Sequence, residues 1–131
     1  MSAFTLDGRT YNVRVPAGGI RRSGQVLDGE NAGRTPSGVM IRDIIGTYYN
    51  YSITIDAKAT SPEEYDAFYD AITAPVESHQ LRVPYGQALL TFRAYVTSAE
   101  DTLDRISDGV NRWGGLTVNF IAMAPARQPV D

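Results

Sequence analysis

The side chains that most often carry enzyme chemistry are scarce in this sequence. It contains one histidine, His79, and no cysteine. A serine hydrolase would need His79 as its general base, but no Gly-X-Ser-X-Gly nucleophile motif is present. A site with two histidines or with thiolate ligands is excluded within one chain. We therefore expect His79 to be a polar surface residue on a strand, and we expect the protein not to be an enzyme.

Four acidic residues lie close together in the segment SPEEYDAFYDAI, residues 61–72. They are Glu63, Glu64, Asp66 and Asp70. Paired carboxylates can act as general acid and base. The apolar residues of this segment recur at helical spacing, however, which places the acids on the solvated face of an amphipathic helix. The helix is predicted at about 61–73, with Ser61 as its N-cap, Pro62 in its first turn and Glu64 completing a capping box.

The segment DGENAGRTPSG, residues 28–38, is polar and holds three glycines and one proline. Its acids and its asparagine offer oxygen ligands that calcium accepts, but their spacing does not match an EF-hand loop. We expect no metal and no cofactor. Because the segment is long for a plain turn, we interpret it as a loop that reaches a neighbouring copy and orders on assembly, the alternative being a surface loop without a partner. The candidate interface residues are Asp28, Glu30, Asn31, Arg34, Arg42 and Trp113.

Charge is unevenly distributed along the chain, whose net charge is −3. Residues 1–42 carry six arginines against three acids, and residues 43–131 carry six bases against twelve acids. A basic part and an acidic remainder suit head-to-tail contacts between copies. Eleven of the twelve bases are arginine, whose planar guanidinium suits interfaces, although genomic base composition gives the same bias.

Alternating apolar and polar residues predict an antiparallel sheet around the helix. The clearest strand is 49–56, preceded by an extended run at 39–45 and by Gly46, where a bend or bulge is tolerated. Further strands are predicted at 20–27, 79–85 and 88–97, with a hairpin at 4–15 that turns at Asp7-Gly8. Residues 98–112 are compatible with a loop or a hairpin. The last strand, 113–123, is partly apolar on both faces, which indicates a central or interface position, and residues 125–129 form an extended tail.

The length of 131 residues fits one domain, 1–131, with a real core. The N-terminus lacks the basic start and apolar stretch of a signal peptide, and no apolar run is long enough to span a membrane. We therefore expect a protein made in the cytoplasm. The fold class predicted is mainly β (α+β): an antiparallel β-sandwich or barrel-like sheet with one flanking α-helix at 61–73 and a long polar loop at 28–38.

Four stretches resemble the small tail proteins of bacteriophages and prophages, the tail-tube and distal-tail (baseplate) group. They are VLDGENAGRTPSG, MIRDIIGTYYNYSITID, SPEEYDAFYDAI and VNRWGGLTVNFIAMAP. The resemblance implies rings, commonly six-fold, whose sheets line a channel for DNA and the tape-measure protein. It also implies loops that contact the neighbouring ring and a place in the virion tail after assembly in the host cytoplasm. It leaves tube, distal-tail and terminator roles open.

Two other function classes remain as alternatives. Arginines and tyrosines in the first 51 residues are compatible with a single-strand nucleic-acid-binding β module, in which bases stack on aromatic rings. The scattered positions of the bases and a pI of about 5.1 disfavour it. A small enzyme without a recognised motif is the second alternative.

Overall fold

A computed structural model describes residues 3–56 and 60–129. In chain order the elements are β1 (Thr5–Leu6), β2 (Ile20–Asp28), β3 (Gly33–Arg34), β4 (Met40–Ile41), β5 (Ile44–Ile55), α1 (Pro62–Ile72), β6 (His79–Tyr85), β7 (Ala88–Ser107) and β8 (Val110–Ala122). Six strands form an antiparallel sheet in the order β1-β6-β7-β8-β5-β2, and β3 pairs with β4 as a separate ribbon. The predicted mainly β fold with one helix is confirmed. The sheet is open and does not close into a barrel, because β1 and β2 are its edges.

The strand β8 lies between β7 and β5, which confirms its predicted central position. Leu116, Val118 and Phe120 are fully buried on the face of the sheet that α1 covers, which we call the helix face. The opposite, polar face carries Thr117 and Asn119, which are exposed. One buried and one hydrated face are what the alternation of an antiparallel sheet provides.

The helix α1 begins at Pro62 and ends at Ile72, so the predicted range of 61–73 is confirmed to within one residue at each end. Its inner face buries Phe68 completely. The Phe68 ring makes edge-on contacts with Phe4 and Tyr11, at centroid distances of 5.5 and 5.3 Å. The N-terminal segment and the helix therefore close one core over the sheet.

The predicted capping box does not form. The Ser61 hydroxyl donates to Glu63 Oε2 at 2.8 Å and makes no capping bond to the backbone. Glu64 instead accepts hydrogen bonds from Arg9 Nη2 at 2.8 Å and from the Asn12 N–H at 3.2 Å. Glu64 therefore bonds to residues distant in sequence and not to the N-cap residue beside it, and these bonds connect the N-terminal segment to the helix.

The predicted turn at Asp7-Gly8 is confirmed, but the strand expected after it is not. Leu6 and Arg9 exchange backbone hydrogen bonds of 3.0 and 2.9 Å across the turn, and Asp7 and Gly8 adopt φ values of 53° and 79°. Residues 11–15 form only one isolated β-bridge, between Arg14 and Asp56 just after β5. The Arg14 N–H is not available for a strand, because it donates to Thr60 Oγ1 at 2.7 Å.

Residues 98–112 form a hairpin, the outcome that the sequence left open. The strands β7 and β8 continue through this region and reverse at Asp108-Gly109, with φ values of 53° and 74°. Three register shifts interrupt their pairing between Val96 and Arg105. Such bulges increase strand twist and redirect side chains.

Gly46 marks a bulge in β5, as predicted. The pairing with β2 passes from Leu27–Gly46 directly to Asp28–Ile44, so one residue of β5 has no counterpart. The tail at 125–129 is held beside this point by the Thr47 N–H, which donates to the Arg127 carbonyl at 2.9 Å. A Cβ atom at Gly46 would lie 2.5 Å from the same carbonyl oxygen, so the close approach requires glycine.

Candidate self-assembly interface

Five of the six predicted interface residues lie on an exposed arm, residues 26–45, made by the ends of β2 and β5 and the β3–β4 ribbon. The polar segment 28–38 is part of this arm and contains strand β3. The arm brings Asp28, Glu30, Asn31, Arg34 and Arg42 into one region. Its strands pair within a single copy.

The charged residues of the arm find partners within the same copy. Arg42 Nε lies 2.8 Å from Asp28 Oδ1, and the Asp43 N–H donates to the same oxygen at 3.1 Å. The hydrogen bond from Arg42 lowers the pKa of Asp28 below its ordinary value. Arg34 Nη1 donates to the Gly38 carbonyl at 2.9 Å. Asp28 and Arg42, expected to serve a neighbouring copy, thus stabilise the arm itself.

Apolar side chains, rather than charges, distinguish the arm. Seven large hydrophobic side chains are exposed on it, with Val39 57% and Val26 52% accessible. They are Val26, Leu27, Val39, Met40, Ile41, Ile44 and Ile45. A concentration of exposed apolar side chains marks an interaction surface. The sequence showed the apolar run at 39–45 but gave no sign that these side chains point to solvent.

The sixth predicted residue, Trp113, lies apart from the arm, in a cleft between α1 and the β7–β8 hairpin. The cleft measures about 490 Å³. The residues lining it are Tyr65, Asp66, Tyr69, Asp70, Asp101 and Trp113. The Tyr65 hydroxyl donates to Asp101 Oδ2 at 2.8 Å, and burial, together with this bond, raises the pKa of Tyr65. Trp113 remains 37% exposed.

Apart from the two-residue edge strand β1, two long stretches of the sheet have a side without a strand partner among the described residues. The first is the side of β2 that faces away from β5, and all of β2 between its end residues is exposed. The second is the side of β7 that faces β6, in the part of the strand after Ala94. There β6 has ended, since it pairs only with residues 88–94, while β8 pairs with the opposite side of β7. Unpaired edges present rows of backbone donors and acceptors that another chain can bind.

His79 is not the surface residue that the sequence led us to expect. It is 4% exposed, and its Nδ1 lies 2.7 Å from Asp7 Oδ2. Burial alone would raise the pKa of Asp7, but the hydrogen bonds from His79 and from the Gln80 N–H outweigh it and lower the pKa. Period-two alternation was the available signal, because His79 shares a face with the buried Leu81 and Val83.

Within residues 3–56 and 60–129, no three or more His, Asp or Glu side chains are grouped so that they could hold a metal ion. In that same part of the chain, no helix is both long and apolar enough to cross a membrane. Neither a protein-family model, nor a curated protein, nor a solved structure matches the sequence. The arm, the free sides of β2 and β7, and the cleft are the surfaces of the described residues that offer contacts to another molecule.

Proposed function

We propose that this protein is a non-enzymatic structural component of a phage or prophage tail, whose copies associate head to tail into rings around a channel. The tail assignment rests on the resemblance of the four stretches quoted above. The self-association rests on one observation, the two unpaired edges on opposite sides of a single sheet. A contact between two different edges repeats from copy to copy, and it closes into a ring when the rotation allows.

The strand directions fit this contact without any rearrangement. Three antiparallel ladders separate β2 from β7, so the two strands run in opposite directions within one copy. When neighbouring copies present the same face, β2 of one therefore meets β7 of the next in antiparallel orientation. The sheet then continues across the boundary with ordinary ladder hydrogen bonds.

The charges of the two edges are complementary. The strand β2 carries Arg21 and Arg22 near its start, whereas β7 after Ala94 carries three acids and one arginine. The β7 residues concerned are Glu100, Asp101, Asp104 and Arg105. Each exposed ion pair contributes only about 0–1 kcal/mol. Their arrangement selects the partner edge and its register.

A ring built in this way gives the channel a polar lining. Rotation about a common axis keeps the same face of every sheet inward, and the face opposite the helix carries hydroxyl and amide groups. Ser52, Thr54, Thr117 and Asn119 lie there, with Thr54 Oγ1 and Thr117 Oγ1 3.3 Å apart. DNA and the tape-measure protein would pass this hydrated surface. The apolar arms would contact the adjacent ring.

The test uses an amide that points away from β5. The Thr54 N–H donates to the Gly19 carbonyl, so these two opposite residues mark a hydrogen-bonded position of the β2–β5 ladder. Hydrogen-bonded positions recur at every second residue, so Arg21 and Ser52 form the next one. The amides of the alternate residues, including Gly24, therefore point to the free edge. Gly24→Pro removes one outward donor and leaves the β2–β5 ladder intact.

We expect wild-type protein to form rings or tubes that negative-stain electron microscopy resolves, with a matching mass by light scattering. Gly24→Pro should fold, as shown by circular dichroism, but remain monomeric. Gly24→Ala keeps the N–H and should assemble as wild type does. Assembly of the proline variant, or a wild-type protein that stays monomeric at high concentration and low salt, would contradict the proposal.

A further inference from the structure

We infer that the cleft between α1 and the β7–β8 hairpin is the receptor for the guanidinium group of Arg22 from a neighbouring copy. This inference rests on the proposed self-association and names the contact that fixes it. The cleft combines three aromatic side chains with three carboxylates. Aromatic faces and carboxylates together are what a guanidinium binds best, by stacking and by paired hydrogen bonds.

No basic residue lines the cleft itself. Arg112 lies in a small adjoining pocket that shares Tyr65, Asp66 and Trp113 with the cleft, but it forms no ion pair with a cleft carboxylate among the described residues. Asp66 and Asp70 are exposed and form no ion pair within the described residues. A guanidinium entering the cleft would therefore meet unpaired carboxylates.

The two faces of the sheet identify which arginine enters. Arg22 is paired with Tyr51, a buried residue of the helix face. The Asp101 carboxylate reaches Tyr65 on α1, so it lies on the helix face as well. In a sheet that continues from β2 into the next copy's β7, both side chains stand on one face. Diagonal neighbours about 7–8 Å apart are within reach of long side chains.

On the polar face of the sheet, an arginine of β2 likewise has an acidic counterpart on β7. Arg21 is paired with Ser52 on the polar face, and Glu100 is paired with Thr117 on that face. Adjacent arginines on β2 thus meet adjacent acids on β7, one pair on each side of the sheet. This two-sided match assigns Arg22, rather than Arg21, to the cleft.

Arg22 is available for transfer to a neighbour. It is exposed, and no carboxylate pairs with it among the residues that the structure describes. Its guanidinium carbon lies 5.3 Å from the centre of the Tyr85 ring. The guanidinium also interacts with the Tyr51 hydroxyl by hydrogen bonding. Its partners within the copy are thus uncharged, and a carboxylate forms a stronger, charge-assisted bond with a guanidinium than they do.

The chain has a built-in reporter, because Trp113 is its one tryptophan and lines the cleft. In the first experiment, ethylguanidinium is titrated into dilute wild-type protein while Trp113 fluorescence is recorded. A saturable change is expected, and it should be lost in Asp70→Asn. Absence of a saturable response in wild type, or an unaltered response in the variant, would overturn the inference.

The second experiment compares Arg22→Gln with Arg82→Gln, a control that removes the same charge from an exposed position on β6, away from both free edges. Arg22→Gln should associate about tenfold more weakly than the control and lose the association-dependent shift of Trp113 emission. Equal association of the two variants would overturn the inference and leave the proposed function standing. A monomeric wild-type protein would overturn both.

Discussion

Asp7 holds a buried histidine, and its replacement gives a measurable loss of folding stability. In Asp7→Ala the Nδ1–H of His79, now bonded at 2.7 Å in a side chain that is 5% exposed, loses its acceptor. A buried donor left without a partner costs about 1–3 kcal/mol. Alanine also tolerates the left-handed φ of 53° at this turn less well than aspartate does, which adds a part of the roughly 1–2 kcal/mol that this conformation costs an L-residue. We expect a loss of about 1–3 kcal/mol from the unpaired donor, plus this smaller backbone contribution.

The second Asp-Gly turn supplies a matched control. Asp108 has the same φ of 53° and is exposed at the end of the β7–β8 hairpin. Asp108→Ala should therefore lose only the smaller backbone contribution, a part of the roughly 1–2 kcal/mol that the left-handed conformation costs an L-residue. Urea unfolding followed by far-UV circular dichroism measures both variants. Equal losses for Asp7→Ala and Asp108→Ala would refute the role given to the His79 contact.

The same contact has a defined pH dependence. The pKa of Asp7 is lowered from 3.8 in the folded state, because the hydrogen bonds from His79 and Gln80 outweigh the effect of burial. A carboxyl group with a depressed pKa stabilises the fold above its unfolded value, and this stabilisation is lost as the pH falls. The advantage of wild type over Asp7→Asn should be full above about pH 5 and shrink toward pH 2. A gap that stays constant across this range would count against the assignment.

Two further substitutions test the arm and the tail. If the proposed rings form, replacing the exposed Val39 and Ile41 of the arm by serine should leave folding unchanged and prevent the rings from stacking, as electron microscopy would measure; stacking equal to that of wild type would show that the arm is not an assembly surface. Gly46→Ala places a Cβ 2.5 Å from the Arg127 carbonyl oxygen, so it should expel the tail and speed amide exchange at Thr47. Gly33→Ala, where an added Cβ meets nothing within 4 Å, is its control, and equal exchange in both variants would contradict the steric reason.

Local chemistry made the helix and the turns predictable, whereas contacts distant in sequence were not. Ser61-Pro62 and the helical period of apolar residues placed α1 to within one residue at each end. The capping box failed because Glu64 has a stronger partner in Arg9, which is 55 residues away in sequence. His79 was misplaced for the same reason, since its partner Asp7 is separated from it by 72 residues.

The candidate interface could be predicted only in part from the sequence. The polar composition of 28–38 correctly indicated an exposed segment, but composition cannot show that Asp28 and Arg42 are bound to each other. Exposure of Val39 and Ile41 was equally hidden, because an apolar strand residue is normally buried. The free edges depend on sheet order. The strand β2 lies at an edge, and the pairing of β6 with β7 ends at Ala94. No local sequence pattern predicts either feature.

The ion pairs of the structure show which arginines of the basic N-terminal part remain without a carboxylate partner. Three arginines of the first 42 residues are neutralised within the copy: Arg9 by Glu64, Arg14 by Asp56 and Arg42 by Asp28. Arg21 and Arg22 have no such partner among the described residues, and both lie on the unpaired edge strand β2. Arg34, the sixth of these arginines, binds the Gly38 carbonyl on the arm and no carboxylate. Two of the three arginines without a carboxylate therefore lie side by side on β2. Because the opposite edge is acidic, head-to-tail contact brings the arginines of β2 against the acids of β7 and relieves both imbalances.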